Sequence, residues 1–74
     1  MLDTTDQGRE AKLRYLDADF DVQRAGSYVT CAVTGQKIPL DELRYWSVAR
    51  QEAYADAVAA NEAYEKARAN GEAF

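Results

Sequence analysis

The residues with most chemistry to offer are Cys31, the acid pairs Asp41–Glu42 and Glu52–Asp56, and the aromatic set Tyr15, Phe20, Tyr28, Tyr45, Trp46 and Tyr54. A cysteine nucleophile needs a base or a depressed pKa, and the chain has no histidine. Cys31 therefore reads as a small buried hydrophobe. Two carboxylates can share acid–base work when a pocket holds them. Asp41 and Glu42 are adjacent, the pattern of a solvated turn. Glu52 and Asp56 suit the opening turns of a helix, where the dipole favours negative charge. No catalytic constellation emerges, so the expectation is a non-enzyme with no cofactor and no bound metal.

The aromatic set is read mainly as core. As a stacking platform for single strands it would need a basic groove, and the net charge is −4. Residues 1–30 and 55–74 each carry −2, and residues 31–54 are neutral. That balance repels free nucleic acid and anionic membrane. Tyr45 and Trp46 are consecutive, so in an extended piece they point to opposite faces. With Arg44 and Arg50 they form the candidate interaction surface, since Trp, Tyr and Arg dominate protein interfaces.

Cys31-Ala32-Val33-Thr34-Gly35 has the shape of a zinc knuckle, Cys-x-x-Cys-Gly, with threonine at the second cysteine. Here the sequence is similar to zinc fingers of the TraR/DksA type, in which a knuckle, a short link and a helix carry two cysteine pairs. Aligned on Cys31 and Gly35, Ile38 and Leu43 fall on that family's apolar positions, and the second pair falls on Glu52 and Ala55. The resemblance implies a treble-clef-like core that has lost its metal and filled the site with packing, because a neutral threonine hydroxyl is a poor zinc ligand.

Around these residues the chain divides in order. Residues 1–10 are polar and read as a flexible arm. Residues 11–46 read as strands. Leu13 and Tyr15 alternate with Lys12 and Arg14, and Phe20 and Val22 with Asp19, Asp21 and Gln23, the period of half-buried strands. Asp17-Ala18-Asp19 and Ala25-Gly26-Ser27 read as turns, Gly26 being free to take positive φ. A third strand covers Tyr28 to Ala32, completing an antiparallel meander. Thr34-Gly35 marks a tight hairpin, the knuckle, leading to Lys37–Leu40. Pro39 demands an edge or an end there. Leu40 and Leu43 share one side of a single turn, and Arg44-Tyr45-Trp46 is a short extended lead into a helix.

The pattern predicts one long helix over 47–69, N-capped by Ser47, rich in Ala, Glu, Gln, Lys and Arg, and stopped by Asn70-Gly71. Glu62 and Lys66 suit an i,i+4 pair. Its first half is expected to pack through Tyr54, Ala57 and Val58, with the second half in solvent or against another chain. The fold class is a small α+β domain over 11–69, a β meander and knuckle hairpin on one C-terminal helix, followed by a 70–74 tail.

The run TGQKIPLDELRYWSVARQEAY, preceded by AKLRYLDADFDVQRAGSYVTCAV, is similar to a family of short bacterial proteins known only as a domain of unknown function. The resemblance covers residues 11–58, with IPLDELRYWSVARQEAY its most specific part, and implies no activity or site residue. The functional expectation is a protein–protein interaction module or accessory factor of a larger assembly. The alternatives are a metal-free zinc-finger-like regulator of transcription and, less well supported, an enzyme. A lone cysteine, no secretory leader and no apolar run near the roughly 20 residues of a membrane span point to the cytosol.

Overall fold

A computed structural model of the chain describes residues 8–74. Most of the expected arm, residues 1–7, lies outside the described residues. Its last residues are tied down: Glu10 bridges Tyr28 in parallel, and Ser27 N–H donates to the Arg9 carbonyl at 3.0 Å.

The strands are β1 (Lys12–Tyr15), β2 (Phe20–Arg24), β3 (Tyr28–Thr30), β4 (Lys37–Pro39), β5 (Tyr45–Ser47) and β6 (Glu52–Tyr54), followed by helix α1 (Ala57–Ala69). The α+β class holds. The expected meander does not form. The strands make three separate antiparallel ladders, β1 with β2, β3 with β4, and β5 with β6. Each ladder closes over a short local loop, and the joints between them are a few single bonds. Ala11 N–H reaches the Tyr28 carbonyl at 2.7 Å, and Ala32 N–H reaches the Ala53 carbonyl at 2.9 Å.

In β1 the alternation works as read. Leu13 and Tyr15 are buried, and Lys12 and Arg14 are exposed. The Asp17–Asp19 turn is present, with Leu16 N–H bonded to the Asp19 carbonyl at 2.8 Å. Gly26 serves a purpose other than positive φ. A Cβ there would stand 2.6 Å from the Arg9 carbonyl oxygen and 2.7 Å from Ala11 Cα. The missing side chain is what lets the segment before β1 cross it. Positive φ is instead used at Gly35 (78°), in the knuckle. There Gly35 N–H bonds the Cys31 carbonyl at 3.0 Å, and Cys31 N–H bonds the Gln36 carbonyl at 2.8 Å. Pro39 ends β4, and a 3-10 turn over Leu40–Glu42 buries Leu43 while exposing Asp41 and Glu42.

The largest departure is at residues 47–56. Ser47 lies at the end of β5 and is buried. It does cap one turn: its Oγ accepts Arg50 N–H at 3.1 Å, and its carbonyl accepts Gln51 N–H at 2.8 Å. That turn does not propagate, because Gln51 adopts φ +53° and reverses the chain into β6. The helix starts ten residues after Ser47, at Ala57, capped by Asp56 Oδ1 accepting Ala59 N–H at 2.8 Å. Ala59, Ala63 and Ala67 form its buried stripe, and Val58 is 75% exposed. Both halves of the helix therefore pack, through alanines rather than through Val58. The helix carries a Glu65–Arg68 ion pair at 2.8 Å. Asn70-Gly71 stops it as expected: Gly71 N–H bonds the Arg68 carbonyl and Glu72 N–H the Ala67 carbonyl, a Schellman closure with Gly71 at φ +70°.

Ala11, Leu13, Tyr15, Val29, Cys31, Ile38, Leu43, Ala53, Tyr54, Ala59 and Ala63 form one core. Burying a side chain of Val, Leu or Ile size stabilises by roughly 1.5–3 kcal/mol. Among the described residues no helix is long and apolar enough to cross a membrane.

Candidate interaction site

The four residues of the candidate surface do not converge. In the β5–β6 ladder Tyr45 opposes Tyr54, Trp46 opposes Ala53 and Ser47 opposes Glu52. Alternation then sends Tyr45 and Trp46 to opposite faces. Trp46 is half-buried against the first hairpin. Its ring meets Phe20 edge-on at 5.7 Å and Tyr15 tilted at 6.0 Å, and its Nε1–H donates to the Leu16 carbonyl at 2.7 Å. Tyr45 is the exposed partner, 41% accessible, beside exposed Arg44. Arg50 is occupied by ion pairs to Glu72 (2.9 Å) and Glu52 (3.4 Å). Its pKa is raised, chiefly by Glu72 and, against some burial, by Glu52.

Behind Arg50, Tyr54 is fully buried and its hydroxyl donates to Glu52 at 2.9 Å. Burial first, then Glu52, holds its pKa well above the ordinary tyrosine value. Phe74 stacks on Tyr54 at 5.8 Å and meets Tyr64 edge-on at 5.3 Å, while Ser47 Oγ donates to its carbonyl.

The knuckle closes around sulfur. Thr34 N–H approaches Cys31 Sγ at 3.4 Å. Burial raises the thiol pKa, but hydrogen bonds from the Thr34 hydroxyl and from the N–H groups of Thr34, Val33 and Ala55 outweigh it and leave it lowered. Of the two other positions aligned with finger ligands, Ala55 offers only its amide and Glu52 is engaged by Tyr54 and Arg50. Among the described residues no group of three or more Cys, Asp or Glu is placed to hold a metal ion.

A different feature brings polar backbone and side chains together. A groove of about 770 Å³ opens along β1, walled by Leu13, Tyr15, Val29, Val48, Gln51 and Ala53. Among the described residues β1 bonds only β2, so no described strand lies along its other edge. Alternation turns the N–H and C=O groups of Ala11, Leu13 and Tyr15 toward that edge. Ala11 N–H is taken by Tyr28, as above. Tyr15 is taken by a side chain: its N–H donates to Gln51 Oε1 at 2.9 Å, and its C=O accepts Gln51 Nε2 at 2.8 Å. Leu13, between them, faces the groove. Lys12 and Arg14 also line it, and neither has an ion pair among the described residues. Burial, then Glu10, raises the pKa of Tyr15 at the groove wall.

Nothing in the residue types of Lys12, Leu13, Arg14 or Gln51 marks them as a site. The available signal was the alternation of β1; what it lacked was any mark of which edge stays open.

The family model described as "Uncharacterized protein conserved in bacteria (DUF2093)" matches residues 22–66, more than half of the chain. No curated protein and no solved structure matches it.

Proposed function

The chain belongs to this uncharacterized bacterial family, and we propose that it is a protein–protein interaction module, without catalysis of its own, serving a larger assembly. The observation that carries the reading is the edge of β1, which no described strand pairs at Leu13, between the bonds at Ala11 and Tyr15, along a groove where Leu16 and Val48 are exposed. Open edges are liabilities that folds cover or blunt, and adding a strand from a partner is a standard way of using one. Arg44 and Tyr45 are exposed and lie outside the groove lining, a separate surface for a partner. The reading includes a reducing cytosolic address, supported by the buried free thiol of Cys31.

The test is site-specific crosslinking of the full chain inside its native bacterium. A photoreactive residue replaces Val48 in the groove wall or Val58 on the exposed helix face. A protein adduct at position 48 that is missing at position 58 supports the reading. Adducts at neither position, or the same adducts at both, overturn it.

A further inference from the structure

We propose that the β1 groove takes an extended acidic peptide, one with carboxylates at alternate positions and small apolar residues between them, paired as a strand against Leu13. The inference rests on the interaction reading above and names the partner's chemistry.

The first argument is already built into the groove. Gln51 lays a side-chain amide against Tyr15, accepting from its N–H and donating to its C=O. A peptide group of a neighbouring strand would do the same, so this edge is shaped to hold an amide in plane. At Leu13, one step along the same edge, a partner strand would supply what Gln51 supplies to Tyr15. With Ala11 N–H bonded to Tyr28 and both backbone groups of Tyr15 bonded to Gln51, the partner pairs with the backbone of Leu13, between those two ends.

The second argument is charge. A strand lying beside β1 places alternate side chains next to Lys12 and Arg14, on the face opposite Leu13 and Tyr15. Both cations line the groove, are exposed, and form no ion pair among the described residues; across the β1–β2 ladder Arg14 stands opposite Asp21 and Lys12 opposite Arg24, so Lys12 is the less compensated of the two. The carboxylates lining the groove are differently placed. Glu52 is committed to Arg50 and Tyr54. Glu10 sits at the end closed by Tyr28, outside the stretch the acids would flank. Opposite charges facing one another across strands are favoured, and like charges are not. The residues between the acids lie on the Leu13 face; Leu13, Val29 and Ala53 are themselves buried, so the apolar surface the groove offers is that of Leu16 and Val48.

The test uses two end-blocked synthetic heptapeptides with the full chain, one alternating valine with aspartate and one alternating valine with lysine. Binding is read by fluorescence anisotropy and by exchange of the Leu13 amide. The expected result is that the aspartate peptide binds and slows Leu13 exchange, and that the lysine peptide binds about tenfold more weakly or not at all. Lys12→Gln with Arg14→Gln should weaken the aspartate peptide by about three- to tenfold, and Lys12→Glu with Arg14→Glu should reverse the preference. Equal binding of both peptides, or a preference indifferent to these substitutions, overturns the acidic specificity and leaves the interaction reading standing. Binding of neither peptide overturns the inference; crosslinking at position 48 then decides the broader reading separately.

Discussion

Gln51 and Tyr15, 36 positions apart, are joined by two hydrogen bonds between one side-chain amide and one residue's backbone. The pair ties the first hairpin to the turn of the third. Gln51 makes these bonds from a left-handed backbone conformation, φ +53°, that favours glycine. Gln51→Ala should destabilise the fold by about 1–3 kcal/mol, the cost of leaving such groups unpaired. Gln51→Gly loses the same bonds but relieves the backbone, and should be about 1 kcal/mol more stable than Gln51→Ala. Urea unfolding of both variants checks this: a reversed order would remove the left-handed strain at Gln51 from the account, and two variants as stable as the parent would remove the amide clamp.

The helix boundary makes a second pair of variants informative. Asp56→Ala removes the observed cap and should cost about 0.5–2 kcal/mol, with amide exchange accelerating at Ala59. Ser47→Ala should also destabilise, through the turn to Arg50 and the Phe74 carbonyl, but leave exchange in the first turn of α1 unchanged. Faster exchange there in Ser47→Ala alone would restore a helix that begins at Ser47.

These residues also show what sequence could and could not reveal. The knuckle turn, the 3-10 turn that buries Leu43, and the Asn70-Gly71 stop were legible because each is a local arrangement fixed by neighbouring residues. Ser47 was a true capping residue that caps a turn and not the helix. Local propensity cannot see that Gln51 reverses the chain, because its reward, the clamp on Tyr15, lies 36 residues away. The helix face was misplaced for a related reason. Three alanines at four-residue spacing carry little hydrophobic signal beside Val58, yet they allow close approach to the strands. The groove was invisible because alternation shows which side chains are wet and not which strand edge is free.

Gly26 and Gly35 should respond differently to alanine. At Gly26 the added carbon meets backbone atoms of Arg9 and Ala11 that cannot swing aside, so Gly26→Ala should cost about 3 kcal/mol or prevent folding. At Gly35 no described atom lies within 4 Å of the added carbon and the φ of 78° is what resists, so the cost should be about 1 kcal/mol. Thermal melting decides, at roughly 4–8 °C per kcal/mol for a domain of this size. A Gly26→Ala variant that melts with the parent would show that the crossing is looser than described.

Tyr54 sets an alkaline limit. Burial and Glu52 raise its pKa above the ordinary 10.0, so in that range the fold holds a proton that the unfolded chain has released. The contribution to stability is complete below the unfolded value and is lost as pH climbs through the folded one. Tyr15 is raised too and adds to the fall, while Cys31 is shifted the opposite way. Urea midpoints taken from about pH 8 to about pH 11 should therefore fall, and Tyr54→Phe should fall less steeply. Parallel curves for the two proteins would remove Tyr54 as the cause.

The knuckle's sulfur is enclosed by amides and the Thr34 hydroxyl, so treatment with a strong chelator should leave the melting temperature where it was. A fall after chelation that added zinc reverses would assign a metal to Cys31 and overturn the packing account of the knuckle.

Three short ladders joined by few main-chain bonds owe their arrangement to side chains. Main-chain bonds run from Ala11 to Tyr28, from Ser27 to Arg9 and from Ala32 to Ala53. With so little main-chain pairing between them, the ladders are fixed on one another by the shared core, by the Gln51 amide and by the indole of Trp46.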